Sequence, residues 1–292
     1  MRYTRRDFLF LVSACAFDLL VPENIFPSDE QKIIVNLPSY NLKLICSDKE
    51  IYDFPIAIGR GFAGRRETPV GEGIVDEKRD GVLFRYGKDY PQTHSKKGDV
   101  IRWTNTFDEK GNRRGYKMPY KNMRGLGLKI KEKSSKNFWD RFVIHSTTDE
   151  FTIGTPASNG CLRVGMNDML KLYDLICPEI KKGYLEKPVG IEILYNLVEL
   201  EKSNVIIHDD VYNKNINYVE EFKKLMSKKN LNENFLDYTE MEKSFETAKT
   251  SFKETRKKIL ETLMKEYPKN FVPVSLKEKL HKRYSLSEFF KN

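Results

Sequence analysis

From Ile33 to Leu194 the chain is built of short β-rich runs separated by turn residues. Ile33–Leu37, Leu42–Cys46, Pro55–Ile58, Gly73–Val75, Phe142–Ile144 and Val189–Leu194 are too short for helices and are set among Gly, Pro, Asn and Asp. That spacing restricts the body to an all-β sandwich or barrel. One helix interrupts it. Asn167 or Asp168 is expected to cap a run carrying Met169, Leu170, Leu172, Tyr173, Leu175 and Ile176, which Pro178 stops. Gly190 is the last of 17 glycines, and beyond Asn213 the composition shifts to Lys, Glu, Asn and Phe without Gly, Cys or Trp. A charged α-helical extension is therefore expected over residues 213–292. Within it Met241, Phe245, Ala248, Phe252, Ile259, Leu263 and Tyr267 fall on one helical stripe before Pro268. Ser275…Glu278 and Ser285…Glu288 read as capping boxes of two later short helices.

With 292 residues the chain can hold one large domain or two ordinary ones, and 39% hydrophobic content excludes wholesale disorder. The net charge of +9 favours an anionic partner: nucleic acid, phospholipid or cell-wall polymer. Residues 1–31 choose among these. Arg5-Arg6 stand before the apolar run Phe8–Phe17, which Asp18 interrupts, the layout of an export signal. The run is too short to cross a hydrocarbon core that needs about 20 residues. The arginine pair with Phe8-Leu9 resembles a Tat signal, with a Sec signal as the competitor, and Val12-Ser13-Ala14-Cys15 also fits a lipobox that would acylate Cys15. Either way the chain is expected in the periplasm or cell envelope, with a signal or lipid anchor as its tie to the membrane. Nucleic acid then drops out as a partner.

Several motifs carry weaker readings. Gly59-Arg60-Gly61-Phe62-Ala63-Gly64 matches G-x-G-x-x-G, but Thr68-Pro69-Val70-Gly71 follows where a dinucleotide site requires a helix, so a glycine-rich hairpin connection is expected. His208-Asp209-Asp210 reads as a polar turn at a domain end rather than a set of metal ligands. His94 and His281 sit near lysines and are expected in solvent, as are Arg65-Arg66 and Arg113-Arg114. Four cysteines are too few for a disulfide scaffold. Cys46, in a strand, and Cys177, at a helix end, are expected to be small core residues rather than a bridge.

One constellation outranks these. Ile144-His145-Ser146 ends a predicted strand, and Ser158-Asn159-Gly160-Cys161-Leu162-Arg163 ends a polar loop. A cysteine attacks as thiolate, and an ordinary thiol of pKa about 8.5 is only slightly ionised at neutral pH, so it needs a base. His145 is the candidate. A glycine at 160 allows close backbone approach, amides of Gly160 and Cys161 can face an oxyanion, and Arg163 offers a fork for a carboxylate. A bare His…Cys pair, taken by itself, is better read as a buried thiol and a satisfied core histidine.

The wider pattern resembles the YkuD-type L,D-transpeptidase family, whose signature is a His, a serine or glycine beside it, and a later S-H-G-C-[IL]-R block. Here it reads His145-Ser146-Thr147, Ile153-Gly154, Ser158-Asn159-Gly160-Cys161-Leu162-Arg163 and Asn167-Asp168. Ile34–Pro38, Leu42–Leu44, Pro55–Arg60 and Thr68-Pro69-Val70-Gly71 are similar to the family's first strands and its T-P-x-G turn. The resemblance covers residues 32–212. It implies a β-sandwich with one short helix after the catalytic loop. Residues 78–140, with Trp103, Tyr116, Tyr120 and Trp139, fit poorly and read as a long insert that either shapes a lid or acceptor groove or merely elaborates the surface.

By the resemblance, Cys161 is a nucleophile toward peptidoglycan stem peptides, His145 its base and later proton donor, and the Ser146 carbonyl the group that orients the imidazole. Gly160 and Cys161 would supply oxyanion amides, while Arg163, Asn159 and Ser158 would line the substrate site. A thioester forms, D-alanine leaves, and the amine of a second stem completes a cross-link in cell-wall biogenesis. No metal or organic cofactor is implied. Asn159 departs from the pattern, because it stands where the family usually has a second histidine and cannot carry a proton. Two other classes remain open: a carboxypeptidase or cross-link hydrolase using the same thioester, and a non-catalytic wall-binding module.

Overall fold

The computed structural model describes residues 31–47, 49–61, 66–80, 104–107, 113–116, 123–133, 138–147, 150–176, 179–181, 183–229, 236–264 and 277–290. Residues 1–30 of the expected export signal, Cys15 among them, and His94, Trp103, Tyr120, Cys177, Tyr267 and Ser275 lie outside these residues. The strands in chain order are β1 (Gln31–Asn36), β2 (Asn41–Cys46), β3 (Lys49–Gly59), β4 (Gly71–Asp80), β5 (Thr104–Phe107), β6 (Arg113–Tyr116), β7 (Arg124–Glu132), β8 (Phe138–Thr147), β9 (Pro156–Ser158), β10 (Leu162–Gly165), β11 (Glu179–Lys181), β12 (Tyr184–Leu194), β13 (Val198–Glu201), β14 (Asn204–His208) and β15 (His281–Ser285). The helices are α1 (Met166–Leu175), α2 (Tyr218–Lys228) and α3 (Tyr238–Met264).

Neighbouring strands run β1-β2-β3-β10-β8-β7-β4-β12, and β12 pairs back to β1 in parallel, from Lys32↔Gly190 to Asn36↔Leu194. The expected sandwich is thus a sheet closed on itself, the barrel branch of the sequence reading. Closure gives both outer strands a hydrogen-bonding partner and removes the exposed edge that an open sheet would leave. Alternation along the strands supplies the core. Ile33 and Val35 of β1, Leu42 and Leu44 of β2, Leu126, Leu128 and Ile130 of β7, Ile144 of β8, Leu162 and Val164 of β10, and Val189, Ile191 and Ile193 of β12 are all buried. Each contributes on the order of 1.5–3 kcal/mol by leaving water.

Three expectations are corrected here. Residues 124–132 and 138–140, read as part of an insert, are β7 and the start of β8, and β7 sits in the ring between β4 and β8. Among the described residues of 78–140, β5 and β6 pair as a hairpin separate from the ring. Helix α1 begins at Met166 without a side-chain cap from its own N-cap residue, Gly165. Glu150 reaches in instead, its Oε1 accepting the Met166 N–H at 2.9 Å, and the helix turns Met169 and Leu172 into the core.

The third concerns the C-terminal segment, which forms α2 and α3 but is a strand at β15. β15 pairs antiparallel with β14, which pairs with β13, so the edge that β14 would otherwise expose is covered. Asn217 caps α2 through its Oδ1, which accepts from Val219 N and Glu220 N. Met241, Phe245, Ala248, Phe252 and Ile259 of the expected stripe are buried with Phe222, Tyr284 and Phe289, in one cluster continuous with the ring's core. The Ser285–Glu288 capping box forms on a short 3₁₀ turn, Leu286–Phe289.

Candidate active site

Strands β8 and β10 lie side by side in parallel, with Leu162 opposite Ile144 and Arg163 opposite His145. Leu162 and Ile144 belong to the core, so alternation sends His145 and Arg163 to the other face. The same row continues to Ala57 of β3 on one side and to Gly125 of β7 and Arg79 of β4 on the other. Cys161 immediately precedes β10 and shares the parity of Arg163. It is therefore the diagonal neighbour of His145, a backbone spacing of about 7–8 Å that side chains can bridge. The Val143 backbone and the Arg163 and Arg79 guanidiniums all act on its sulfur, which places it over this face.

The imidazole is held in one tautomer. His145 Nδ1 lies 2.8 Å from the Ser146 carbonyl oxygen, and a carbonyl only accepts, so in the neutral ring Nδ1 carries the proton and Nε2 is the unprotonated nitrogen. The ring is 5% exposed. Burial, and then the positive charge of Arg163, holds its pKa down to about 4 against the opposing hydrogen bond to Ser146. Burial pushes the Cys161 thiol up, while the Val143 backbone, Arg163 and Arg79 pull the other way. At neutral pH the two groups are thus a thiol and a neutral imidazole rather than an ion pair. Ser146 itself is anchored to β7, its Oγ accepting from Arg124 N at 3.0 Å.

The loop before Cys161 is tied by its own side chains. Ser158, 1% exposed, donates from Oγ to the Cys161 carbonyl at 2.5 Å and accepts from Gly160 N at 3.0 Å. Gly160 has φ +121, a conformation side-chain-bearing residues rarely adopt. Its N–H is given to Ser158 Oγ, an arrangement that does not suit the expected part of Gly160 as an oxyanion donor. Asn159 is exposed at the tip of the turn. Arg163 is half-buried beside His145.

A family model described as the L,D-transpeptidase catalytic domain, YkuD, matches residues 30–184. The chain belongs to this family. The match ends where β12 begins, whereas the resemblance read from the sequence ran to residue 212. No curated protein matches the chain. Among solved structures, an L,D-transpeptidase from Mycobacterium smegmatis is 12% identical with a TM-score of 0.35, over 56% of this chain and 58% of that one. L,D-transpeptidase 1 of Mycobacterium tuberculosis is 11% identical with a TM-score of 0.31, over 56% and 61%. An L,D-transpeptidase segment from Xylanimonas cellulosilytica is 17% identical with a TM-score of 0.31, over 65% and 70%. The chain spans less than two thirds of the length of the two mycobacterial proteins.

Around this L,D-transpeptidase-family centre the remaining sequence motifs take different places. Gly59 ends β3 without opening a helix, and its N–H donates to Thr68 Oγ1 at 2.9 Å, so it is not offered to a phosphate. Cys46 is buried in β2. His281, expected in solvent, packs against His208 with the two Nδ1 atoms 2.9 Å apart, and burial drives it down to about 4. His208 Nε2 stands 3.2 Å from Glu199 Oε2. Asp209 and Asp210 are buried rather than solvated: Arg256 of α3 holds Asp209 at 3.0 Å, and Asp210 accepts from Tyr195 Oη at 2.7 Å. Among the described residues no three His, Cys, Asp or Glu side chains converge as metal ligands. Arg79, Thr68 and Tyr212 were not singled out as site residues by the sequence. Thr68 carried the one usable signal, its place in the T-P-x-G turn.

Proposed function

We infer that the protein is a peptidoglycan L,D-transpeptidase acting outside the cytoplasm, with Cys161 as nucleophile and His145 as general base. The observation that carries this reading is a histidine whose tautomer is set by its neighbour's carbonyl, standing on the sheet face that Cys161 shares. The Cys161 sulfur attacks the carbonyl carbon at the L-centre of a stem peptide's diamino acid while His145 Nε2 takes the thiol proton. The Cys161 N–H faces the developing oxyanion. Collapse of the tetrahedral intermediate breaks the C–N bond to D-alanine, whose amine receives the proton from His145, and leaves a thioester. The amine of a second stem then attacks the thioester, His145 takes its proton, and the Cys161 thiol is regenerated with it. The guanidiniums of Arg163 and Arg79 favour thiolate over thiol and suit a substrate carboxylate. The basic charge and the export-signal reading of residues 1–31 support a site of action in the cell envelope.

The test is intact-mass spectrometry after treatment with a carbapenem. A covalent adduct is expected on the wild-type protein and absent from folded Cys161→Ala. A folded wild-type protein that takes up no adduct would favour the non-catalytic module.

A further inference from the structure

The catalytic turn is also gripped from outside. Thr68, 1% exposed, donates from Oγ1 to the Gly160 carbonyl at 2.7 Å and accepts from Gly59 N at 2.9 Å, so its hydroxyl proton has one direction. Its own N–H donates to Tyr212 Oη at 3.1 Å, and that hydroxyl donates to the Gly59 carbonyl at 3.0 Å. Tyr212 is held in turn: its N–H donates to Tyr195 Oη at 2.8 Å, and the two rings stack with centroids 5.5 Å apart. Tyr195 Oη donates to Asp210 Oδ1, which also accepts from Lys214 N at 2.9 Å. Tyr195, Tyr212 and Thr68 are all buried. A chain of hydrogen bonds thus links the segment after β14 to the residue before Cys161.

The Gly160 carbonyl and the Cys161 N–H belong to one peptide unit, planar and trans, in which they point in opposite directions. Fixing the carbonyl therefore fixes the N–H. Gly160 cannot do this by itself, since its backbone has more freedom than any other residue's. We propose that Thr68, braced by Tyr212, is a positioning residue that aims the Cys161 N–H at the oxyanion. This rests on the nucleophile reading above. Thr68 touches neither substrate nor sulfur in this role; it acts through the peptide plane.

The experiment compares two reactions of the same thiol on full-length protein. Acylation by imipenem passes through an oxyanion; alkylation by iodoacetamide does not. Thr68→Val removes the hydroxyl at nearly constant shape and is expected to slow imipenem acylation by about 10²-fold, the loss typical of one misplaced oxyanion donor. Its alkylation rate is expected within about twofold of wild type, and Thr68→Ser is expected to restore acylation. Tyr212→Phe, which keeps the ring, is expected to slow acylation alone by on the order of tenfold, about one lost hydrogen bond. Acylation of both variants within threefold of wild type would overturn the proposal, as would equal loss of both reactions. Should Thr68→Val not fold, the Tyr212→Phe ratio of the two rates decides. A wild-type protein that alkylates at Cys161 but never acylates would instead sink the underlying transpeptidase reading, and this proposal with it.

Discussion

His145 and His281 are both held neutral by burial, each with a pKa of about 4 where a free imidazole titrates near 6.5. The unfolded chain therefore binds protons between those values that the folded protein refuses. Their stabilising effect is complete above about pH 6.5 and is lost as pH falls toward 4. Asp209, raised to about 6 by burial, works in the opposite sense over part of this window, so the net slope is expected to be moderate. The check is the urea midpoint from pH 7 to pH 4. It is expected to fall with acid in the wild type and to fall less steeply in His281→Gln; parallel slopes would contradict it. At this scale the proposed pair was legible as a candidate, because His145 and Cys161 sit in fixed positions of short motifs. The fate of the Gly160 amide was not, since Ser158 captures it through a turn geometry that residue types alone do not encode. His281 misled because sequence neighbours say nothing of the strand β14 against which it pairs.

Elements were readable where short β-rich runs stood between turn residues. β1, β2, β3, β4, β8 and β12 each contain an expected run, whereas β7 fell within residues 78–140, read as an insert. In the sheet Gly127 has little room for a side chain: a Cβ there would meet Glu77 Cβ at 2.9 Å. The docking of α3 was visible as a stripe, but its polar lock was not. Arg256 places Nη1 3.1 and 3.0 Å from the two Asp209 oxygens, donates also to the Asp210 carbonyl, and sends Nη2 to Asn213 Oδ1 at 2.7 Å. Removing one partner of a buried pair strands the other charge. Arg256→Met is expected to lower unfolding free energy by about 3–5 kcal/mol, read from denaturant midpoints. Replacing both partners, with Asp209→Asn added, is expected to cost less than the sum of the single changes. Strict additivity would mean that the two side chains are not a unit.

In the whole molecule, a ring closed by β1 and β12 presents one outward row across β3, β10, β8, β7 and β4, and the proposed catalytic pair belongs to it. The C-terminal helices and β15 share the ring's hydrophobic core rather than standing off it, which composition could not foretell because a charged amphipathic helix reads alike whether it docks or floats. Family membership was legible from the ordered motifs. The closure was not, since pairing between the first strand and β12 is a contact remote in sequence that only tertiary packing specifies. The most direct measurement is the product profile after incubating the full-length protein with purified tetrapeptide muropeptides. Cross-linked dimers with released D-alanine are expected from the wild type and neither from Cys161→Ala. An unchanged profile from folded wild-type protein would contradict catalysis by Cys161, and shortened monomers without dimers would contradict transfer to an amine.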